Sequence, residues 1–334
     1  MRVVVVTTSY PRHAGDVAGT FVRDGVEALR AAGVEITVVS PATVRHYGIA
    51  YGDGIVNNLR RAPWKALALP FFLAGLARAA RRAARDADLV HAHWLPSGLA
   101  ALAAGKPLVV QPWGSDLALA ERAGFLARLV LGRARAVVCA SQALADAARR
   151  LGADTVHLVP HGVSLPAEVV PPDGPPHALY VGRLSAEKGV QDLAAAAAGL
   201  PLVVVGDGPL RSLFPQALGF VPPAEVGGYL DRAAVVVVPS RREGVGMSAR
   251  EALAHGRPVV ATRAGGLPDV VLDDVTGVLV GPGRPEELRA ALVSLLDDET
   301  RRRRLGAGAR ALAERELRWE VAVERLLAVY RGLR

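Results

Sequence analysis

The chain has 334 residues, which at roughly 150 per domain predicts two domains. A hydrophobic fraction of 51% against 22% charged excludes a disordered chain and supplies material for two cores. A single cysteine excludes a disulfide scaffold and any cysteine-based zinc or iron–sulfur site within the chain. The formal net charge is +8, and all of the excess lies in residues 1–165, which carry 19 basic and 11 acidic side chains; residues 166–334 carry 21 of each.

In chain order, the apolar run in MRVVVVTTSYP is too short for a signal-peptide core and predicts a buried strand over Val3–Thr7. Further strands are expected at Glu35–Ser40, Leu89–His93, Leu108–Gln111, Ala136–Ala140 and Val156–Val159, with a helix at 20–32 closed by Gly33. The longest apolar stretch, Ala66 to Ala77, is well short of the ~20 residues needed to span a bilayer. A cytoplasmic protein is expected, with association at the inner face of the membrane through the basic segment 60–85. The segment PAEVVPPDGPPH, 166–177, cannot continue a helix or a central strand and reads as a linker. The alternation resumes with strands at His177–Val181, Leu202–Val205, Val235–Pro239, Pro258–Ala261 and Gly277–Val280, and helices near 246–255 and 285–296. The C-terminal segment reads as helical throughout, with Val323, Leu326, Leu327 and Tyr330 on one stripe. Strands alternating with helices predict an α/β protein of two doubly wound, Rossmann-like domains facing across a cleft. The expected boundaries are 1–165, the linker 166–177, 178–315, and a helix at 316–334 that returns to the first domain.

The chain lacks a GxxxxGK[ST] phosphate loop, HExxH, GxSxG and, after the first strand, GxGxxG. A nicotinamide oxidoreductase is thereby disfavoured. The chemistry concentrates in YVGRLSAEKGV, from residue 180, and PSRREGVGMSAREALAHG, from residue 239. Arg183 and Lys188 flank a strand-to-helix turn, where a planar fork and a point charge can clamp a diphosphate. Glu243-Gly244-Val245-Gly246-Met247-Ser248 opens a helix directly after a strand, so close backbone approach, amide groups and the helix dipole all favour a phosphate. Glu251 lies eight residues after Glu243, at most ~12 Å along a helix. Two carboxylates so spaced can accept paired hydroxyl bonds from a sugar and a ribose. Together these groups describe a nucleotide-sugar site.

These residues resemble the retaining GT-B glycosyltransferases of family 4. The family's E-x7-E motif is similar to Glu243…Glu251, and its GR…x-x-K-G motif to Gly182-Arg183…Lys188-Gly189. The resemblance extends over nearly the whole chain and is strongest from 178 to 282. It implies a donor bound mainly by the second domain and a hydroxyl acceptor, lipid-linked or saccharide, met by the first, in cell-envelope or polysaccharide synthesis. Arg183 and Lys188 would hold the donor pyrophosphate with the amides of Gly246 to Ser248; Glu243 would bind sugar hydroxyls and Glu251 the ribose. No metal and no cofactor beyond the donor itself are implied, and retention would follow from front-face attack within an ion pair.

The first half departs from the family pattern. Where relatives carry a histidine before Gly-(Ser)-Asp, this chain has Trp113, followed by Gly114, Ser115 and Asp116, so a general base at that place is in doubt. Trp113 and Asp116 are acceptor-side candidates with His93, which shares a strand face with His91; both histidines are expected to point into the cleft. His161 stands where relatives show asparagine. Gly15 and Gly19, before the first helix, are candidates for bringing amides to the donor phosphate. Segment 60–85 carries seven basic residues and no acid, with Arg78, Arg81, Arg82 and Arg85 on one helical face and Leu69, Phe72, Leu73 and Leu76 roughly opposite. That pattern predicts a helix lying in an anionic membrane interface, its rival being a packed domain helix. No nucleic-acid partner is expected. The alternatives are a GT-B relative of other chemistry, such as a phosphorylase or sugar-nucleotide epimerase, and a non-catalytic nucleotide-sugar-binding subunit. A pyridoxal-phosphate phosphorylase would need a second lysine in the second half, which has only Lys188.

Overall fold

The computed structural model describes residues 1–13, 15–51, 55–120 and 124–333. Ala14, in the expected glycine-bearing loop, and Arg334, at the end of the expected C-terminal segment, lie outside them. Among the described residues the chain forms two parallel sheets in two compact units, Met1–Val159 with Ala322–Arg334, and Pro160–Val321.

The first sheet contains β1 (Arg2–Thr7), β2 (Glu35–Val39), β3 (Leu89–His93), β4 (Leu108–Gln111), β5 (Ala136–Cys139) and β6 (Val156–Leu158), in the order β2-β1-β3-β4-β5-β6. Helices cover both faces, so central strands read as unbroken apolar runs: Val3 to Val6 and all of Leu89–His93 are buried. The helix Thr20–Ala31 buries Val22, Val26 and Leu29, and ends at Gly33, whose φ of 82° only glycine adopts without strain. The second sheet contains β7 (Ala178–Val181), β8 (Leu202–Val205), β9 (Val235–Val238), β10 (Val259–Thr262) and β11 (Gly277–Val280), in the order β11-β10-β9-β7-β8. Counted from its own first strand, it repeats the 2-1-3-4-5 order of the first sheet. Strand order therefore reverses between β1 and β3 and again between β7 and β9. Crevices outside the carboxyl ends of strands at such reversals are where open α/β sheets take their ligands.

Two segments differ from the sequence reading. The C-terminal region is not one helix: Glu299–Leu312 runs into a wide turn at Ala313–Leu317, Arg318 is extended with ψ 148°, and a new helix, Trp319–Arg331, follows. Val323, Val329 and Tyr330 of that helix are buried against Val3, Val5 and Leu89, with Leu326 and Leu327 packed beside them. The proline-rich stretch, without helix or strand, lies on the second unit, where Arg310 donates to the Pro166 carbonyl at 3.0 Å and Arg257 donates to the Val170 carbonyl.

Residues 60–85 divide into the end of Ile55–Arg61, a tighter turn at Pro63–Ala68, the helix Leu69–Ala83 and a turn at Ala84–Asp86. Phe72 and Leu76 are 0% exposed, with Ala80 and Ala84 below them, so the stripe expected to meet a membrane is already spent on the core of the first unit. Among the described residues, no helix is long and apolar enough to cross a membrane.

Candidate functional site

In the second unit, the loops leaving β7 and β9 flank the strand reversal, and the residues singled out from sequence sit on them. Lys188 ends a short turn, Ala186–Lys188, and its Nζ lies 2.6 Å from Glu243 Oε2. Ser240, two residues past the end of β9, donates its hydroxyl to the same oxygen at 3.0 Å. Glu243 is therefore fixed by two donors on one oxygen, although 55 positions separate it from Lys188 in sequence. Arg183 is exposed on the same β7 loop and makes no ion pair among the described residues. Its turn is tied down by Tyr180, whose hydroxyl donates to the Arg183 carbonyl at 2.7 Å. Burial raises the Tyr180 pKa, reinforced by the Glu243 and Glu187 charges, so this tether stays protonated.

Gly246 caps the helix Met247–Ala254 in the left-handed region, φ 76°, with no side-chain hydrogen bond to the cap. The first-turn amides of Met247 and Ser248 thus have no capping oxygen and present the positive end of the helix dipole beside Glu243. Glu251 lies in this helix, half-buried, after Ala249 and Arg250, which are buried. Gly244 and Val245 form the bend ahead of the cap; Val245 is buried and its carbonyl accepts from Arg250 Nε at 3.1 Å. Arg250 is only 1% exposed, and burial lowers its pKa to about 10, partly offset by Asp269. It acts as an internal strut beneath the amide cluster.

Sequence reasoning passed over Ser240, Arg250 and Gly265. Arg250 reads as a helix-surface charge in AREALA; only the buried alanines around it hint otherwise. Gly265 is legible as a turn glycine, but its close approach to residue 243 is not. It has φ 53°, and the Gly266 amide donates to the Glu243 carbonyl at 3.3 Å.

In the first unit the candidates gather at the ends of β1, β3 and β4. His91 and His93 share a face, as alternation requires, and their rings stack at 4.5 Å. They do not open outward: His91 is 1% and His93 7% exposed. His91 Nδ1 shares a 2.6 Å hydrogen bond with the Tyr330 hydroxyl, and burial lowers its pKa to about 3 despite a hydrogen bond with Gln111 that favours the protonated ring. Trp113 is half-buried, its indole N–H donates to His93 Nδ1 at 3.3 Å, and its ring meets Phe21 edge-on at 4.5 Å. The indole dipole is turned inward, onto His93.

Asp116 is buried, and its two oxygens accept the amides of Leu95 (3.1 Å), Trp113 (3.1 Å) and Gly114 (3.0 Å). Burial raises its pKa, with those amides pulling the other way. Its place is that of a brace between the β3 and β4 loops. Gly19, φ 66°, caps the helix Thr20–Ala31 with its Cα pressed on the Ser9 backbone, while Gly15 lies exposed in the preceding turn. His161 is buried edge-on to Trp319 at 4.8 Å, and burial lowers its pKa to about 3, with the nearby Arg250 charge adding to the effect.

Comparison with known proteins places these features in a common context. Residues 164–312 match the family model for glycosyl transferases group 1, and residues 18–166 match that for glycosyltransferase family 4. The D-inositol 3-phosphate glycosyltransferase of Kineococcus radiotolerans is 34% identical, covering 95% of this chain and 91% of its own. That of Xylanimonas cellulosilytica is 34% identical over 78% and 75%. Among solved structures, sucrose-phosphate synthase from Thermosynechococcus elongatus superposes with a TM-score of 0.83 at 24% identity, covering 100% of this chain and 99% of its own. Anabaena HepE in complex with UDP-glucose superposes at 0.75 and 20%, covering 100% of both.

Proposed function

Because the chain belongs to the family 4 glycosyltransferases of GT-B architecture, we propose that it moves a sugar, with retention, from a nucleotide-diphosphate sugar to a hydroxyl of an anionic acceptor. The observation that carries the reading is the convergence of Lys188 and Ser240 on one oxygen of Glu243, beside an uncapped helix terminus at the strand reversal. This arrangement leaves Glu243 Oε1 to accept sugar hydroxyls. Arg183 and Lys188 hold the two phosphates, and the amides of Gly246, Met247 and Ser248 take a phosphate oxygen. The bend at Gly244 and Val245 lets the donor approach the backbone, and Glu251 accepts the ribose hydroxyls.

The leaving nucleotide diphosphate is stabilised by two cations and a helix dipole, so the reading needs no metal and no bound cofactor. The acceptor hydroxyl attacks the anomeric carbon from the face the diphosphate leaves, and a phosphate oxygen takes its proton. The protein contributes positioning and leaving-group stabilisation rather than a nucleophile. Trp113, half-buried, contacts the acceptor, held in place by His93 behind its indole N–H and by Asp116 at its backbone amide. The +8 of residues 1–165 supports an anionic acceptor, and the relatives named for inositol 3-phosphate act on one.

Nucleotide release measured across UDP-, GDP-, ADP- and dTDP-sugars, with Glu243→Ala as the control, tests the reading. Turnover of one donor that collapses in the variant is expected. No release with any donor and no binding of any nucleoside diphosphate would overturn it.

A further inference from the structure

The helix Leu69–Ala83 and the turn before it carry a second stripe, distinct from the buried one. Trp64, Leu67 and Phe71 are 71%, 80% and 66% exposed, unlike most large apolar side chains of this protein. They are followed at alternating three- and four-residue steps by Ala74, Arg78, Arg81 and Arg85, all exposed, with Arg82 beside them. This spacing keeps the series on one helical face. The outward stripe is therefore divided lengthwise, an apolar amino-terminal half and a basic carboxyl-terminal half, along a helix of about 22 Å and the turns at its two ends. None of the four arginines forms an ion pair among the described residues. Lys65, near the apolar end, donates to the Gly48 carbonyl at 3.0 Å and lies 5.8 Å from the Trp64 ring centroid.

We propose that this stripe docks the first unit on an anionic lipid bilayer, with Trp64, Leu67 and Phe71 entering the headgroup boundary and Arg78, Arg81, Arg82 and Arg85 engaging lipid phosphates. Charge decides the occupant: residues 60–85 hold seven basic side chains and no acid, which complements a continuous anionic surface. A tryptophan at the tip suits the headgroup level, where its ring is buried and its N–H stays wet. The whole helix does not sink into the interface, because its buried face is the Phe72–Leu76 stripe of the core. Contact is confined to three side chains plus a basic band, so it is shallow, reversible and salt-sensitive. The inference is independent of the transferase reading, since it concerns binding alone.

Co-sedimentation of the full chain with phosphatidylglycerol-containing vesicles, against phosphatidylcholine vesicles, tests it. Binding to the anionic vesicles alone, weakened by salt, is expected. Exchange of all four arginines for glutamine should weaken it by at least about a hundredfold, at about fivefold per side chain. Trp64→Ser with Leu67→Gln and Phe71→Gln should weaken it by about tenfold or more. These side chains are exposed, so both variants should melt with the parent. Brominated lipid should quench part of the tryptophan emission in the parent and less in Trp64→Phe. Equal binding to neutral vesicles, or parental binding by either multiple variant, overturns the proposal. So does a dimer in sedimentation velocity that the tip variant alone dissociates, since a second copy would then cover the patch.

Discussion

Gly265→Ala separates backbone positioning from side-chain chemistry. The added Cβ would stand 2.7 Å from the Glu243 carbonyl carbon and closer still to its oxygen. Ordinary contact between such atoms is about 3.5 Å, and the oxygen is the nearer of the two, so the residue 243 bend must retreat by more than about 1 Å. The φ of 53° adds about 1–2 kcal/mol of strain to any non-glycine residue, which in a unit of this size lowers the melting temperature by several degrees. A 1 Å displacement of a positioning group costs about a hundredfold in rate. The carboxylate that Lys188 and Ser240 hold is carried on the displaced residue. Nucleotide release with the preferred donor, measured below the variant's melting temperature, should fall by roughly that factor while Arg183 and Lys188 are untouched. A variant that melts a few degrees lower yet turns over at the parental rate would show that the contact serves stability alone.

Other expectations follow from the same geometry. Ser240→Ala removes one of the two donors to Glu243 and should lower kcat by about tenfold, against at least a hundredfold for Glu243→Gln; equal losses would mean Ser240 does more than position. Arg183→Ala should raise the donor KM with little change in melting, because its side chain makes no ion pair among the described residues. His91 and His161 have pKa values held near 3 by burial, against an ordinary 6.5. The unfolded chain therefore takes up their protons first; the stability they contribute is complete above about pH 7 and is lost as pH falls through 6.5 toward 3. The loss is on the order of 2 kcal/mol per histidine by about pH 5, and melting that rises between pH 7 and 5 would contradict it. Cys139 is 0% exposed with a thiol raised to about 12 by burial, so it should react with thiol reagents only on unfolding.

Much of this was legible in the sequence because it is local. β3, β4, β8 and β11 coincide with the apolar runs that announce them, since strands buried on both faces leave little else for their residues to be. Arg183, Lys188 and Glu243 stand out in the sequence because cations, carboxylates and glycines at strand ends have few structural duties. What escaped depends on depth and on partners distant in the chain. The Leu69–Ala83 helix offers two apolar rows, and periodicity cannot say which one the sheet takes; Phe72 and Leu76 went in and Phe71 stayed out. Arg250 looks like any helix-surface arginine until its neighbours are placed. The inward turn of Trp113 follows from His93, twenty residues earlier on a neighbouring strand.

The bond between Tyr330 and His91 joins positions 239 apart in the chain. Synthesis from the amino end delivers β1 through β6 first, yet the core they enclose lacks Val323, Val329 and Tyr330 until all of the second unit has been made. The second unit, Pro160–Val321, is by contrast contiguous and complete before that. The unit begun first is thus finished after the second, and a nascent molecule carries an open apolar flank while Pro160–Val321 is being made. A premature stop before Ala322 would leave Arg183, Lys188, Glu243 and Glu251 in the chain, but would leave His91 without its Tyr330 hydroxyl and the first sheet without its final cover.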